Sequence, residues 1–248
     1  MRWFREGIAG MAEITRDERG LSYWASIHGG PPRSWCHHGT FDGVEVFRGA
    51  PLFLPWHRAY LFLFELALQD QQPRARVPWW NWSSEAARRE GLPEAFAQER
   101  VGGEINPLVS QPVLRGPGRE RLPERTRRRP SPPRFLPPQR EVERVLRLNN
   151  FTDFSTQLEQ IHGAIHGWVG GTMSAVPTAA YDPIFWAHHS MVDRLWRIWQ
   201  LRNPESTALV DVRDRPLAPF ELTVGDVLDV TELGYDYAST TTSVDVDR

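Results

Sequence analysis

Apolar residues recur at spacings of three and four positions in several stretches of the chain, which is the pattern of helices that bury one face. The strongest stretch predicts a helix over about 52–71, with Pro73 blocking its continuation. Further helices are predicted over about 141–148, 151–169 and 189–204. The pattern therefore favours a mainly helical fold.

The composition changes between 111 and 140, where proline and arginine dominate. At this density they cannot sustain a helix or a strand, so a long surface loop is predicted. A basic arm for nucleic acid is the alternative, but the run lacks interleaved aromatic residues and the chain carries a formal charge of -2. No break divides the sequence, so residues 1–248 are predicted to form a single domain.

Charge and hydropathy argue against several kinds of partner. A net charge of -2 gives no bulk attraction to nucleic acid or to an anionic membrane, and no stretch approaches the ~20 apolar residues of a membrane helix. Charged side chains interrupt residues 1–13, so no secretory signal is predicted there. We therefore expect a soluble protein, either cytoplasmic or exported by a partner protein. The one cysteine, Cys36, excludes an intramolecular disulfide.

All eight histidines lie in short clusters rather than being scattered along the chain. His162 and His166 are four positions apart in a predicted helix, so their imidazoles project from one face within ~6 Å of each other, close enough to share a metal ion. Asp193 follows His189 by one helical turn, where a carboxylate can fix an imidazole tautomer or orient a neighbouring group. The clusters give two groups of three. One group consists of His28, His57 and either His37 or His38. The other consists of His162, His166 and either His188 or His189.

The donor set narrows the choice of metal. Imidazole suits copper, zinc and iron, so histidine alone does not choose among them. Di-iron centres and dinuclear zinc hydrolases usually include carboxylate ligands, whereas both groups here consist of neutral imidazoles. Copper is therefore favoured, with a zinc or other metal hydrolase as a minor alternative.

Four segments carry a resemblance to a known family. They are IHG at 27–29, LPWHRAYL at 54–61, LEQIHGAIHGWVGG at 158–171 and DPIFWAHHSMVDRLW at 182–196. In this order and spacing they resemble the type 3 copper proteins, which comprise tyrosinases, catechol oxidases and haemocyanins. The resemblance covers about 23–199, and LGYDY at 233–237 is similar to the aromatic motif that closes tyrosinase domains.

The resemblance implies two copper ions and a ligand set for each. The ligands that it implies are His28, His38 and His57 for the first copper, and His162, His166 and His189 for the second. His189 is preferred to His188 because it lies four positions before Asp193, as in the family's His-x-x-x-Asp helix. His38 is preferred to His37 because Cys36 then completes a Cys-x-His pattern, in which some members form a thioether between the cysteine and the ligand histidine.

The resemblance also implies a substrate pocket over the second copper. Glu159 matches an acidic residue that holds a water able to deprotonate incoming phenol, although a solvent-facing helix carboxylate is the plainer reading. Val176 falls at the position of a gate residue, with a core valine as its alternative. Gly163 and Gly167 follow two ligands, and efficient phenol hydroxylases often have Asn or Asp at the first of these positions. Gly163 therefore puts activity on monophenols in doubt.

The implied fold is a four-helix bundle core that holds the dinuclear copper site, with long loops and a few short strands. The implied activity is that of a short bacterial-type polyphenol oxidase, which uses O2 to oxidise small o-diphenols or o-aminophenols to quinones and in some cases hydroxylates monophenols. A copper-delivery or export partner protein fits this interpretation. The alternative is reversible O2 binding without turnover, as in haemocyanins.

Overall fold

The computed structural model describes residues 1–29, 40–41, 44–45, 52–114, 121–206 and 208–237. The predicted ligand His38, the neighbouring His37 and the predicted thioether at Cys36 lie outside these residues. The remaining predicted site residues are all described.

The described part of the chain is mainly helical, which confirms the predicted fold class. Its α-helices are α1 (Arg2–Glu13), α2 (Leu21–Gly29), α3 (Phe53–Gln71), α4 (Glu85–Glu90), α5 (Glu94–Ala97), α6 (Gln139–Leu146), α7 (Phe151–Val169), α8 (Val176–Ala179) and α9 (Pro183–Arg202). Short 3-10 turns lie at Pro133–Phe135, Gly171–Ser174, Val210–Val212 and Gly225–Val227. Among the described residues, no helix is both long and apolar enough to span a bilayer.

The predicted helices over 52–71 and 151–169 match α3 and α7, but the predicted start of α9 near His189 is wrong. The helix begins six residues earlier, at Pro183. Asp182 is its N-cap, and its carboxylate accepts a hydrogen bond from the Ile184 backbone N–H at 3.2 Å. Proline at the first helical position needs no N–H donor there. This early start places His189 near the middle of a buried helix rather than at its end.

Helices α1 and α2 were not predicted. Helix α1 buries Phe4, Ile8 and Met11 on one face and packs along α3. Helix α2 is only nine residues long and is buried on most of its surface, so it lacks the alternation of apolar and polar faces that marks a helix in a sequence. It carries His28 in its last turn.

The strands form three short antiparallel pairs in the described residues. The pairs are β1 (Thr40–Phe41) with β2 (Val44–Glu45), β3 (Arg100–Val101) with β4 (Glu104–Ile105), and β5 (Pro112–Leu114) with β6 (Arg121–Arg125). The third pair lies within 111–140, so the prediction that this run sustains no strand is wrong. Backbone pairing requires only N–H and C=O groups in register, and the prolines leave enough of them free.

Part of the 111–140 run is also buried rather than a free surface loop. Arg128 is 7% exposed in its side chain, and its Nε donates to Asp182 Oδ2 at 2.9 Å. Asp182 is itself fully buried at the start of α9. The arginine-rich run therefore fixes the beginning of the helix that carries His188 and His189.

The helical core is built from α3, α7 and α9, which pack against one another, with α1 along α3 and α2 beside α1. Helix α2 also packs against the short α8. Four of these helices, α2, α3, α7 and α9, carry every histidine of the described residues. The fold thus brings together histidines that are as far apart in sequence as His28 and His189.

Candidate metal centre

Three imidazole nitrogens converge between α7 and α9. His162 Nε2 lies 2.9 Å from His166 Nε2 and 3.3 Å from His189 Nε2, and the last two atoms are 3.2 Å apart. Nitrogen ligands about 2.0–2.1 Å from one ion in a tetrahedral arrangement lie roughly 3.3 Å from each other. The three nitrogens are therefore spaced as ligands of a single ion.

A second group lies beside the first. The ligand atoms of His28, His57 and His189 lie within 4.8 Å of one another. The His57 and His189 rings stack, with centroids 4.3 Å apart and planes 14° apart. Since His189 belongs to both groups, the two candidate metal positions are neighbours, as a dinuclear centre requires.

His188 is also close but is oriented differently. Its ring stacks on that of His162, with centroids 5.1 Å apart and planes 9° apart. It is fully buried, and neither ring nitrogen makes a hydrogen bond of normal geometry with the described residues. Its ligand atom falls within 4.8 Å of those of His162, His166 and His189, but it stands outside the tight triangle of the other three.

Backbone carbonyls orient three of the imidazoles. His57 Nδ1 lies 2.8 Å from Phe53 O, His166 Nδ1 lies 2.9 Å from Met173 O, and His28 Nδ1 lies 3.1 Å from Val176 O. A carbonyl oxygen only accepts, so Nδ1 carries the proton in each ring. The Nε2 lone pair is then left to face the centre, which is the tautomer that a metal ligand needs.

Burial favours the neutral form of two imidazoles, those of His188 and His189. Burial, together with repulsion from His166, lowers the pKa of His188 well below its ordinary value. Burial, together with repulsion from His57 and other neighbouring histidines, does the same to the pKa of His189. Neutral imidazole is the form that coordinates a metal ion, so the folded chain favours the binding form before any ion arrives.

A cavity of about 320 Å³ opens onto His28, His162 and His166. Glu159 and Gly163 line it from α7, and Val176 lines it from α8. Glu159 is half-buried, and burial raises the pKa of its carboxyl group. The Glu159 carboxylate is therefore only partly exposed to solvent, and its role toward a phenol stays a prediction.

Of two other residues predicted for the pocket, Val176 lines the cavity and Gly167 does not. Val176 is 38% exposed at the cavity, so it is not a core valine. Gly167 is exposed and is not among the residues that line this cavity. An added Cβ at either Gly163 or Gly167 would meet no atom within 4 Å among the described residues.

Among the described residues, the Asp193 carboxylate contacts an arginine and two tyrosines rather than an imidazole. Its Oδ1 accepts from Arg58 Nε at 2.6 Å, and its Oδ2 accepts from the hydroxyls of Tyr235 and Tyr237 at 2.9 and 2.7 Å. The Arg58 and Asp193 side chains are 0% and 2% exposed. Asp193 therefore orients a neighbouring arginine, and this ion pair joins α3 to α9 one residue beyond His57 and one turn beyond His189.

The role of Arg58 was not predicted from the sequence. The sequence carried a signal for it, because an arginine in an apolar helix needs a buried acid as partner, and Asp193 lies in the apolar helix α9. Phe53 and Phe185 were also missed. Their rings lie against the imidazoles, with Phe53 4.9 Å from His162 and Phe185 4.2 Å from His189 between centroids.

Comparison with known proteins settles the family. The family model described as the common central domain of tyrosinase matches residues 18–202, which include every histidine of the chain. The chain belongs to the tyrosinase family. Proteins of this family carry a dinuclear copper centre that uses O2, and the two histidine groups of the chain fit that centre. This tyrosinase-family chain is accordingly a copper oxidoreductase of the type 3 class.

Individual relatives of the tyrosinase-family chain include enzymes and oxygen carriers. It is 35% identical to a tyrosinase of Streptomyces glaucescens, over 92% of each protein. It is 31% identical to haemocyanin beta-C chain unit D of Helix pomatia, over 79% of the chain and 50% of that protein. It superposes on a functional unit of octopus haemocyanin with a TM-score of 0.76 and 27% identity, over 96% of the chain and 64% of that unit.

Proposed function

We propose that the protein oxidises small o-diphenols or o-aminophenols to o-quinones with O2. The observation that carries the proposal is the cavity of about 320 Å³ that leads from Glu159 and Val176 to His162 and His166. A carrier needs only a path for O2, whereas a phenol needs room beside the metal. The exposed Val176 leaves that room accessible.

The ligand assignment is part of the proposal. His162, His166 and His189 hold the second copper through their Nε2 atoms, and His28 and His57 hold the first together with His38. The support is the triangle of Nε2 atoms, with sides of 2.9 to 3.3 Å, and the carbonyls that fix three of the tautomers. The bound copper pair supplies two-electron exchange with O2.

The side chains of the cavity bind and deprotonate the substrate. Met173, Val176 and Ala179 provide apolar contacts for an aromatic ring. The carboxylate of Glu159, with its raised pKa, is suited to take a proton from a phenolic hydroxyl, directly or through a water. Two o-diphenols deliver four electrons and four protons to one O2, which yields two o-quinones and two waters.

Copper content and oxygen uptake test this function. We expect two coppers per chain, a near-ultraviolet band that appears with hydrogen peroxide, and O2 consumption that depends on a catechol. The metal-free protein is the control and is expected to show neither the band nor uptake. A band without uptake would favour the haemocyanin-like alternative, and no copper binding would eliminate the dinuclear copper proposal.

Gly163 is expected to limit the hydroxylation of monophenols. The Gly163→Asn variant places an amide beside Glu159, where it can orient a water, and an added Cβ there meets no described atom within 4 Å. We expect the ratio of monophenol to diphenol kcat/KM to rise by at least about tenfold, because an oriented proton acceptor contributes about 10²–10⁴-fold to a rate. Steady-state assays on both substrate classes measure this ratio.

Gly167→Asn is the matched control for that variant. It makes the same change on the same helix, with the same free space, but outside the cavity lining. The ratio should stay near the wild-type value in Gly167→Asn and should fall again in the double variant Gly163→Asn, Glu159→Gln. Equal gains from both asparagine variants would argue against a water held at Glu159.

A further inference from the structure

Two of the carbonyls that orient the candidate ligands belong to one short segment, residues 173–176. Met173 O accepts from His166 Nδ1 at 2.9 Å, and Val176 O accepts from His28 Nδ1 at 3.1 Å. In the proposed ligand assignment, His166 serves the second copper and His28 serves the first. The same four residues therefore contact one ligand of each copper at Nδ1, the ring nitrogen that faces away from the metal position.

The backbone before this segment is anchored to the arginine-rich run. Thr172 N donates to Arg127 O at 2.8 Å, and Arg129 N donates to Val169 O at 2.9 Å. Gly171 has a φ of +59°, and an added Cβ would lie 1.9 Å from Arg127 O. Only glycine fits there, so the backbone at 170–172 is fixed closely against 127–129.

The other side of the 173–176 segment lies against the end of α2. A Cβ added to Gly29 would lie 2.6 Å from both the carbonyl carbon and the carbonyl oxygen of Val176. Those are backbone atoms, so a side-chain rotation cannot relieve the contact. Helix α2 reaches Val176 O with the His28 imidazole only because the next residue has no side chain.

We propose that the 173–176 segment positions one imidazole of each copper group, and that Gly29 sets the distance between this segment and α2. The proposal rests on the ligand assignment of the proposed function. Val176 belongs to the same segment and lines the cavity, so the position of the cavity wall and the orientation of His28 are coupled. Gly29 is in this sense a positioning residue and contacts no substrate.

The Gly29→Ala variant tests the proposal. The added methyl group must push Val176 away from α2, which lengthens the hydrogen bond to His28. We expect the affinity for the first copper to fall by about 10–100-fold, the range for losing a group that orients a metal ligand. The second copper should be weakened less, because the bond from His166 to Met173 O spans only seven residues and does not involve α2. Chelator competition on the full-length chain measures both affinities.

Gly7→Ala is the matched control. It adds the same methyl group to a buried helical glycine, 2.6 Å from Leu68 Cδ1, in α1. It should lower thermal stability and leave both copper affinities unchanged. If Gly29→Ala keeps wild-type copper affinities, or if both variants lose copper in proportion to their loss of stability, the positioning role is wrong.

A measurement on the metal-free wild type does not depend on either variant folding. Nitrogen-15 NMR of the imidazoles should show slowly exchanging Nδ1–H protons for His28 and His166, since each donates to a carbonyl of the 173–176 segment. Rapid exchange at both would overturn the proposal. Because this signal and the copper affinities require no phenol oxidation, a protein that binds copper without oxidising phenols would refute the proposed function and leave this inference standing.

Discussion

Replacing His189 by alanine is expected to abolish oxidation and to remove the second copper. His189 is the one histidine that belongs to both groups, with its Nε2 at 3.2 and 3.3 Å from those of His166 and His162 and its ring stacked on His57. Losing a group that merely orients a ligand weakens metal binding by about 10–100-fold, so losing a ligand should exceed about 100-fold. Copper analysis after dialysis and O2 uptake with a catechol measure the effect.

His188→Ala is the control for that experiment, because the two histidines are adjacent and both are buried. The His188 ring packs on that of His162 but lies outside the triangle formed by the Nε2 atoms of His162, His166 and His189. The variant should keep substantial copper and measurable oxidation, with some loss of stability from the space that the ring leaves. If His188→Ala loses the second copper and His189→Ala retains it, the ligand assignment is wrong at this pair.

The second large effect is expected at the ion pair between α3 and α9. Asp193→Asn keeps the size of the side chain but leaves the fully buried Arg58 guanidinium without a counter-charge. Breaking a buried pair in this way costs about 3–5 kcal/mol of the free energy of unfolding. Asp193 also accepts hydrogen bonds from Tyr235 and Tyr237, so the backbone amides of residues 233–237 should exchange faster in this variant. Urea denaturation and hydrogen exchange measure the two effects.

Glu6→Gln provides the same chemical change at the surface. Glu6 pairs with Arg2 at 2.8 Å, and their side chains are 41% and 82% exposed. Exposed pairs contribute little to stability because water and salt screen them, so this variant should be close to wild type. A cost at Asp193 no larger than that at Glu6 would mean that water reaches Arg58. Replacing Arg58 and Asp193 together by Met and Leu should recover part of the loss.

The sequence predicted the parts of the site that depend on local periodicity. His162 and His166 lie on one face because α7 has helical spacing, and the structure brings their Nε2 atoms to 2.9 Å. The start of α9 was misplaced because the prediction followed the apolar pattern and passed over the Asp182–Pro183 cap. Helix α1 was missed although Phe4, Ile8 and Met11 have helical spacing, because that region was considered only as a targeting signal.

Other features were beyond reach from sequence for a physical reason. The partners of His28 and His166 are carbonyl oxygens of Val176 and Met173, and every residue carries such an oxygen. No side-chain identity marks these positions before the fold is known. Gly29 is similar, because its lack of a side chain matters only once Val176 lies 2.6 Å from where a Cβ would be.

The ligands proposed for the two coppers differ in the sequence separation between the residues that must come into contact. His162, His166 and His189 lie within 27 residues, and Met173 is only seven residues from His166. The bond from His28 to Val176 instead spans 148 residues. Closing a longer loop costs more chain entropy, and contacts of high sequence separation slow folding. During folding, the histidines of the second copper can therefore come together from α7 and α9, whereas those of the first copper also require α2 to dock. We expect the protein to become able to retain the second copper before the first.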